Sequence, residues 1–167
     1  HVVTDFDRTL TKASVDGKRQ QSAFALLREG GYLADEYPSK AFALFDRYHP
    51  YEVDDSFSRA VQYRLMAEWW SQHRDLMVRS GMSRGVLDRV VRDEHLEFRD
   101  GVKGFFDTLC REGVPVLVFS SGLGDLIAGF LDKEGLRRPN VHVVANFFDV
   151  GPDGRARGYA GPLVHRC

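Results

Sequence analysis

Two carboxylates stand two residues apart near the amino terminus, Asp5 and Asp7, where the apolar run Val2-Val3 gives way to Thr4-Asp5-Phe6-Asp7-Arg8-Thr9-Leu10. In an extended segment, residues i and i+2 project to the same side. Both acids can then face one substrate in the crevice beyond the carboxyl end of a parallel strand. One attacks while the other handles the proton. The same residues also read as a capped turn, because Asp and Thr recur in loops. A second stretch separates the two readings: Val114-Pro115-Val116-Leu117-Val118-Phe119-Ser120-Ser121-Gly122 has a buried-strand pattern and ends in small hydroxyl residues and Gly. Two strands that end in polar chemistry make one site.

The elements that must position these residues follow from periodicity and punctuation. The first strand covers Val2 to about Thr4, and the chain from about Thr11 to Phe98 reads as almost entirely helical. Its first helix runs from Arg19 to Glu29 and stops at Gly30-Gly31. A second covers about Ser39 to Tyr48, and the longest runs from about Phe57 to Arg79, with Ser56 or Ser58 as cap and Gly81 past its end. Ser83 caps a shorter one, Val86 to Asp93. The rhythm then changes. Asp100 caps a helix from about Val102 to Glu112, the strand Pro115 to Phe119 follows, then a helix from about Asp125 to Glu134 and an apolar strand from Val141 to Ala145. Strands alternating with helices of this length imply a parallel sheet. Gly151-Pro152-Asp153-Gly154 makes a turn into a small exposed hairpin. The fold expected is an α/β Rossmann-like core, residues 1–15 and 99–167, with an all-helical cap, residues 16–98, inserted after the first strand.

Composition narrows the function classes. The chain has 167 residues, 43% of them apolar, enough to bury a core. Its 23 Lys and Arg balance 24 Asp and Glu, and with no long basic run nothing argues for a nucleic-acid polymer as partner. No stretch approaches the roughly 20 apolar residues of a membrane span. Only Cys110 and Cys167 are present, which suits a reducing compartment, and Cys110 reads as a buried, inert thiol. A receiver-like signalling module would also place acids after its first strand, but would pass to its next strand without so long an insertion.

Asp5-Phe6-Asp7-Arg8-Thr9-Leu10-Thr11 resembles motif one of the haloacid dehalogenase superfamily, and Phe119-Ser120-Ser121-Gly122 resembles its motif two. A closer resemblance is to the cytosolic pyrimidine 5'-nucleotidases. It runs through Tyr51-Glu52-Val53-Asp54, Glu68-Trp69-Trp70, Gly101-Val102-Lys103-Gly104-Phe105-Phe106, Ser121-Gly122-Leu123-Gly124-Asp125 and Pro139-Asn140-Val141-His142-Val143-Val144-Ala145-Asn146-Phe147. The resemblance implies that Asp5 attacks the phosphorus of a nucleoside 5'-monophosphate and that Asp7 protonates the departing 5'-oxygen, then deprotonates water. A second Asp favours phosphatase over dehalogenase chemistry, since an alkoxide leaving group needs an acid and halide does not. Mg²⁺ is the implied cofactor, held by the Asp5 carboxylate and the Asp7 carbonyl. Ser120 would donate its hydroxyl to the phosphoryl group, helped by the amides of Ser121 and Gly122.

The resemblance also assigns Glu52 to accept a hydrogen bond from the exocyclic amine of the base. His73 falls where the family carries a substrate-contacting Ser; apart from the resemblance, a solvent-facing His is expected. Of Trp69 and Trp70, one packs inside the bundle and the other lines the cleft or joins the core, packing being favoured. Phe119 reads as core, and Lys103 and Lys133 as solvent-facing. After Cys167 the family continues into its motifs three and four, so the chain reads as a piece of a longer cytoplasmic nucleotidase, weakly active or inactive alone. The alternatives are a non-catalytic phosphate-binding module and a phosphatase for another phosphomonoester.

Overall fold

The computed structural model of the protein describes residues 1–165. Three parallel strands form the central sheet: β1 (Val2–Thr4), β4 (Val116–Leu123) and β5 (Val141–Asn146), in the order β1-β4-β5. Val2 pairs with Val116, and Val116 with Val141. The helices α5 (Val102–Arg111) and α6 (Gly124–Lys133) connect these strands, as a parallel sheet requires. Val116, Val118, Leu126, Ile127, Phe130 and Leu131 are buried together. The side of the sheet carrying Val3, Phe119 and Val144 is open, with those residues 61%, 49% and 39% exposed. Phe119 is therefore not core.

Between β1 and α5 lie four helices: α1 (Ala23–Glu29), α2 (Tyr37–Val53), α3 (Arg59–Arg79) and α4 (Arg84–Asp93). They are preceded by a small antiparallel hairpin, β2 (Ser14–Val15) and β3 (Lys18–Arg19), so the insertion is not wholly helical. Gly17 at φ +76° and Asp16 at φ +49° make its turn, a left-handed pair suited to a tight hairpin. This hairpin delays α1, which begins only after Ser22 accepts a bond from the Ala25 amide. Ser58 and Ser83 cap α3 and α4 in the same way, whereas the Ser56 amide donates to Asp54 in a turn. Asp100 caps nothing: Gly101, at φ +86°, occupies the cap of α5, and Asp100 lies 3.6 Å from Lys12 instead.

The chain enters and leaves the inserted bundle side by side. The Lys12 amide donates to the Glu97 carbonyl at 2.8 Å and the Arg99 amide to the Leu10 carbonyl at 2.9 Å. Gln20 ties the two together, donating to the Lys12 and Glu97 carbonyls and accepting from the Glu97 amide. The bundle also rests on the core where α4 meets α6. A Cβ at Gly129 would fall 2.6 Å from Val91 Cγ2, so the glycine permits the approach. Lys133 donates to the carbonyls of Val91, Arg92 and Glu94. It is exposed, yet its ammonium group finishes α4 rather than simply facing solvent.

After β5 comes the hairpin β6 (Phe148–Val150) and β7 (Ala156–Tyr159). It is not fully exposed, for Phe148 and Ala156 are buried and β7 contacts α3. Cys110 is half-buried and free, more accessible than expected; Cys167 lies outside the described residues. No helix among the described residues is long and apolar enough to cross a membrane.

Candidate active site

The first acid stands just past β1 and the second in the tight loop that follows. The Phe6 carbonyl accepts the amides of Thr9, Leu10 and Thr11 at 3.3, 3.0 and 3.2 Å, folding the chain back over a Phe6 ring that is fully buried. Arg8 sits at φ +62°, a conformation that costs a non-glycine residue about 1 kcal/mol or more. Its amide donates to the buried Thr11 hydroxyl at 2.8 Å, which holds that turn.

Asp5 is exposed, and its Oδ2 accepts the Thr9 hydroxyl at 3.2 Å. Asp7 is half-buried, and its Oδ1 accepts the Ala23 amide at 3.0 Å. Burial pushes the Asp7 carboxyl above the ordinary carboxylate range, with the Asp5 charge adding to the rise while the Ala23 amide and the Arg8 charge oppose it. The two acids thus occupy different environments, the arrangement by which paired carboxylates divide acid and base roles.

Ser120 arrives on β4, 5% exposed. Its Oγ accepts the Gly122 amide at 3.1 Å, which leaves the hydroxyl hydrogen for another acceptor. The Gly122 amide is accordingly directed at Ser120 Oγ. A Cβ built on Gly122 would lie 3.3 Å from Ser120 Oγ and 3.8 Å from Asp7 Oδ2, so the second acid and the hydroxyl converge there. Asn146, 2% exposed, closes the back of this wall. Its amide nitrogen donates to the Ser121 and Val164 carbonyls, and its oxygen accepts the Val164 amide.

These groups share one cleft of about 680 Å³ between sheet and bundle, a volume suited to a small molecule. Asp5, Asp7, Ser120, Ser121 and Gly122 line it from β4 and the chain just past β1, and Glu52 and His73 from α2 and α3. Glu52 is partly buried at the end of α2, 3.2 Å from His49 Nδ1. Trp69 and Trp70 both line the cleft and both are half-buried, so neither is withdrawn into the bundle. Trp69 stacks on Tyr48 at 6.0 Å, and its indole nitrogen is buried without a partner.

His73 is 4% exposed, not solvent-facing. It hydrogen-bonds the Tyr37 hydroxyl at 3.0 Å and meets the Phe24 ring edge-on at 4.8 Å. Burial, with the Arg28 charge second, pulls its pKa from 6.5 down to about 4. A depressed histidine stabilises the fold in its neutral form. That contribution is complete above pH 6.5 and is lost as acidity rises through pH 4. Urea unfolding between these limits is expected to show a loss of up to about 3 kcal/mol that His73→Gln removes; an unchanged slope in the variant would assign the acid sensitivity elsewhere.

Sequence reasoning did not single out Phe24, Arg28, Phe45 or Val164, all on the cleft wall. Phe24 and Arg28 stand four apart on α1, a spacing that puts both on one face. Phe45 and Val164 left no such signal.

The sheet with its inserted bundle has the haloacid dehalogenase fold. A HAD family hydrolase from Salmonella enterica serovar Typhi superposes over 97% of this chain and 45% of its own with a TM-score of 0.61, at 12% identity, a likeness of fold alone. The description Pyrimidine 5'-nucleotidase (UMPH-1) matches residues 8–167, and the chain belongs to that family. It is 34% identical over 164 residues to a 7-methylguanosine phosphate-specific 5'-nucleotidase A of Xenopus laevis, covering 98% of this chain and 57% of that one. The crystal structure of cytosolic 5'-nucleotidase IIIB bound to cytidine superposes with a TM-score of 0.87 at 31% identity, over 99% of this chain and 55% of that one. The chain thus spans about half the length of the curated relatives it matches.

Proposed function

We propose that the protein carrying this chain hydrolyses nucleoside 5'-monophosphates, with a preference for pyrimidines, through an aspartyl-phosphate on Asp5. The observation that carries this reading is the convergence of Asp5, Asp7 and Ser120 on a cleft that Glu52 and two tryptophans also line. The nucleotidase names of relatives and the cytidine bound in cytosolic 5'-nucleotidase IIIB support it.

The chemistry proceeds in two displacements. Asp5 Oδ attacks phosphorus, the bond to the 5'-oxygen breaks, and protonated Asp7 gives its proton to that oxygen. Burial favours the protonated form that this step needs. Water then attacks the phosphoryl group on Asp5, giving a proton to Asp7 and releasing phosphate, which restores both acids. The Ser120 hydroxyl hydrogen, not required by Gly122, stabilises a phosphoryl oxygen. Glu52 takes a hydrogen bond from an exocyclic amine of the base, and His73 lines the same pocket. The bundle over the sheet limits the entry of competing water.

Hard oxygen donors suit Mg²⁺, which commonly binds through one or two carboxylates and substrate phosphate. The exposed Asp5 carboxylate and the Asp7 carbonyl fit that demand, although no group of three or more His, Cys, Asp and Glu assembles among the described residues. When bound, the ion would offset the repulsion between a carboxylate nucleophile and a phosphate dianion. The cytosolic placement in the relatives' names belongs to the same reading.

Phosphate release from cytidine and uridine 5'-monophosphates decides the matter, using protein carried on through the further length its relatives possess. Release that needs Mg²⁺ and stops with chelator is expected. Cleavage of another phosphomonoester with nucleotides untouched would keep the enzyme class and remove the substrate assignment.

A further inference from the structure

The base end of the cleft contains a cation that the reaction above does not use. Arg28 stands in the last turn of α1, a helix whose first amide is held by Asp7. Five residues of helix put its backbone about 7–8 Å further along the axis than the amide that Asp7 holds. Its guanidinium lies over the Phe42 ring at 4.5 Å and the Phe45 ring at 5.8 Å. Phe45 stacks on His49 at 4.4 Å, and His49 pairs with Glu52. Arg28 therefore belongs to the wall that carries Glu52, not to the phosphate end.

Its hydrogen bonding is incomplete. One terminal nitrogen is 2.7 Å from Glu29, while Nε is buried without a partner, and the residue lines the cleft. Nε is sealed from the cleft, so a ligand in the cleft meets the guanidinium through its terminal nitrogens. Packing on two rings from α2 keeps the fork in place before a ligand arrives.

The geometry points to Arg28 as a specificity-determining residue that donates to a ring carbonyl of a neutral base and repels a base that is itself cationic. Cytosine satisfies both groups, its exocyclic amine on Glu52 and its carbonyl on Arg28. Uracil keeps that carbonyl but carries a second one where cytosine has the amine that donates to Glu52. An N7-methylated guanine carries positive charge in its imidazole ring at neutral pH, and the guanidinium repels it more strongly the less water remains between them. This deepens the nucleotidase reading and rests on it for the identity of the substrate.

The test uses protein carried on through the further length its relatives possess and compares wild type with Arg28→Met on cytidine 5'-monophosphate, 7-methylguanosine 5'-monophosphate and p-nitrophenyl phosphate. The variant is expected to lose roughly tenfold to a hundredfold in kcat/KM on the cytidine nucleotide, mainly through KM. It should gain on the methylated one and stay unchanged on the base-free ester. An equal loss on all three would place Arg28 at the phosphate, and an unchanged cytidine value would remove it from recognition; either overturns the inference while the phosphatase reading stands. Should no ester be cleaved by wild type, that reading fails. Calorimetric binding of cytidine and 7-methylguanosine to the same two proteins then decides, with the same opposite shifts expected. Parallel shifts, or no binding to wild type, would end the proposal.

Discussion

Replacing Asp5 by Asn is expected to suppress nucleotide hydrolysis by on the order of 10⁴-fold or more, with the fold intact. The amide has the shape of the carboxylate, and its oxygen can still accept the Thr9 hydroxyl that Asp5 Oδ2 accepts now. The exposed position carries no packing that Asn would disturb. What disappears is the anionic oxygen that bonds to phosphorus in the proposed reaction. Rapid acid quenching of wild type with labelled substrate should trap phosphate on the chain, and the Asn variant should trap none. An Asn variant that turns over at the wild-type rate would show that another group attacks.

Asp7→Asn should produce a loss that depends on the leaving group. A nucleoside 5'-alkoxide needs a proton as it departs, so the first displacement slows by roughly 10²–10⁴-fold. p-Nitrophenolate leaves without help, so Asp5 should still be phosphorylated by that ester. The second displacement also needs Asp7, as base, and the phosphorylated protein should accumulate: a burst of nitrophenol equal to the enzyme present, then slow turnover. Burial raises the Asp7 carboxyl, so in wild type the rate should fall on the alkaline side only above the ordinary carboxylate range. Loss of equal size for both esters, with no burst, would make Asp7 a structural residue.

The parts of this protein that could be read from its sequence are those with local causes. Apolar runs and Gly punctuation located the strands at Val116 and Val141 and the helices before and between them, and serines announced α3 (Ser58 rather than Ser56) and α4 (Ser83) by side chains that bond within three residues. Asp5, Asp7 and Ser120 stood at strand ends, and the structure does bring them to one cleft. Other features depend on distant partners. The late start of α1 follows from a hairpin tied by Gln20 to Glu97, 77 positions on. His73 reads as surface until α1 and α2 supply Phe24 and Tyr37 around it. Arg28 looks like one more basic residue near a helix end, and only the packing of α2 places two rings beneath its guanidinium.

The doorway into the helical bundle and the way out of it are clasped to each other, at Lys12 with Glu97 and Leu10 with Arg99. Whatever lies between those residues is a closed circuit. Because the backbone bonds already bring its ends together, lengthening, shortening or exchanging the circuit changes the closure entropy only slowly. A fold fastened in this way can alter what it recognises by remaking the circuit while the sheet with Ser120 and the loop with Asp5 and Asp7 keep their places.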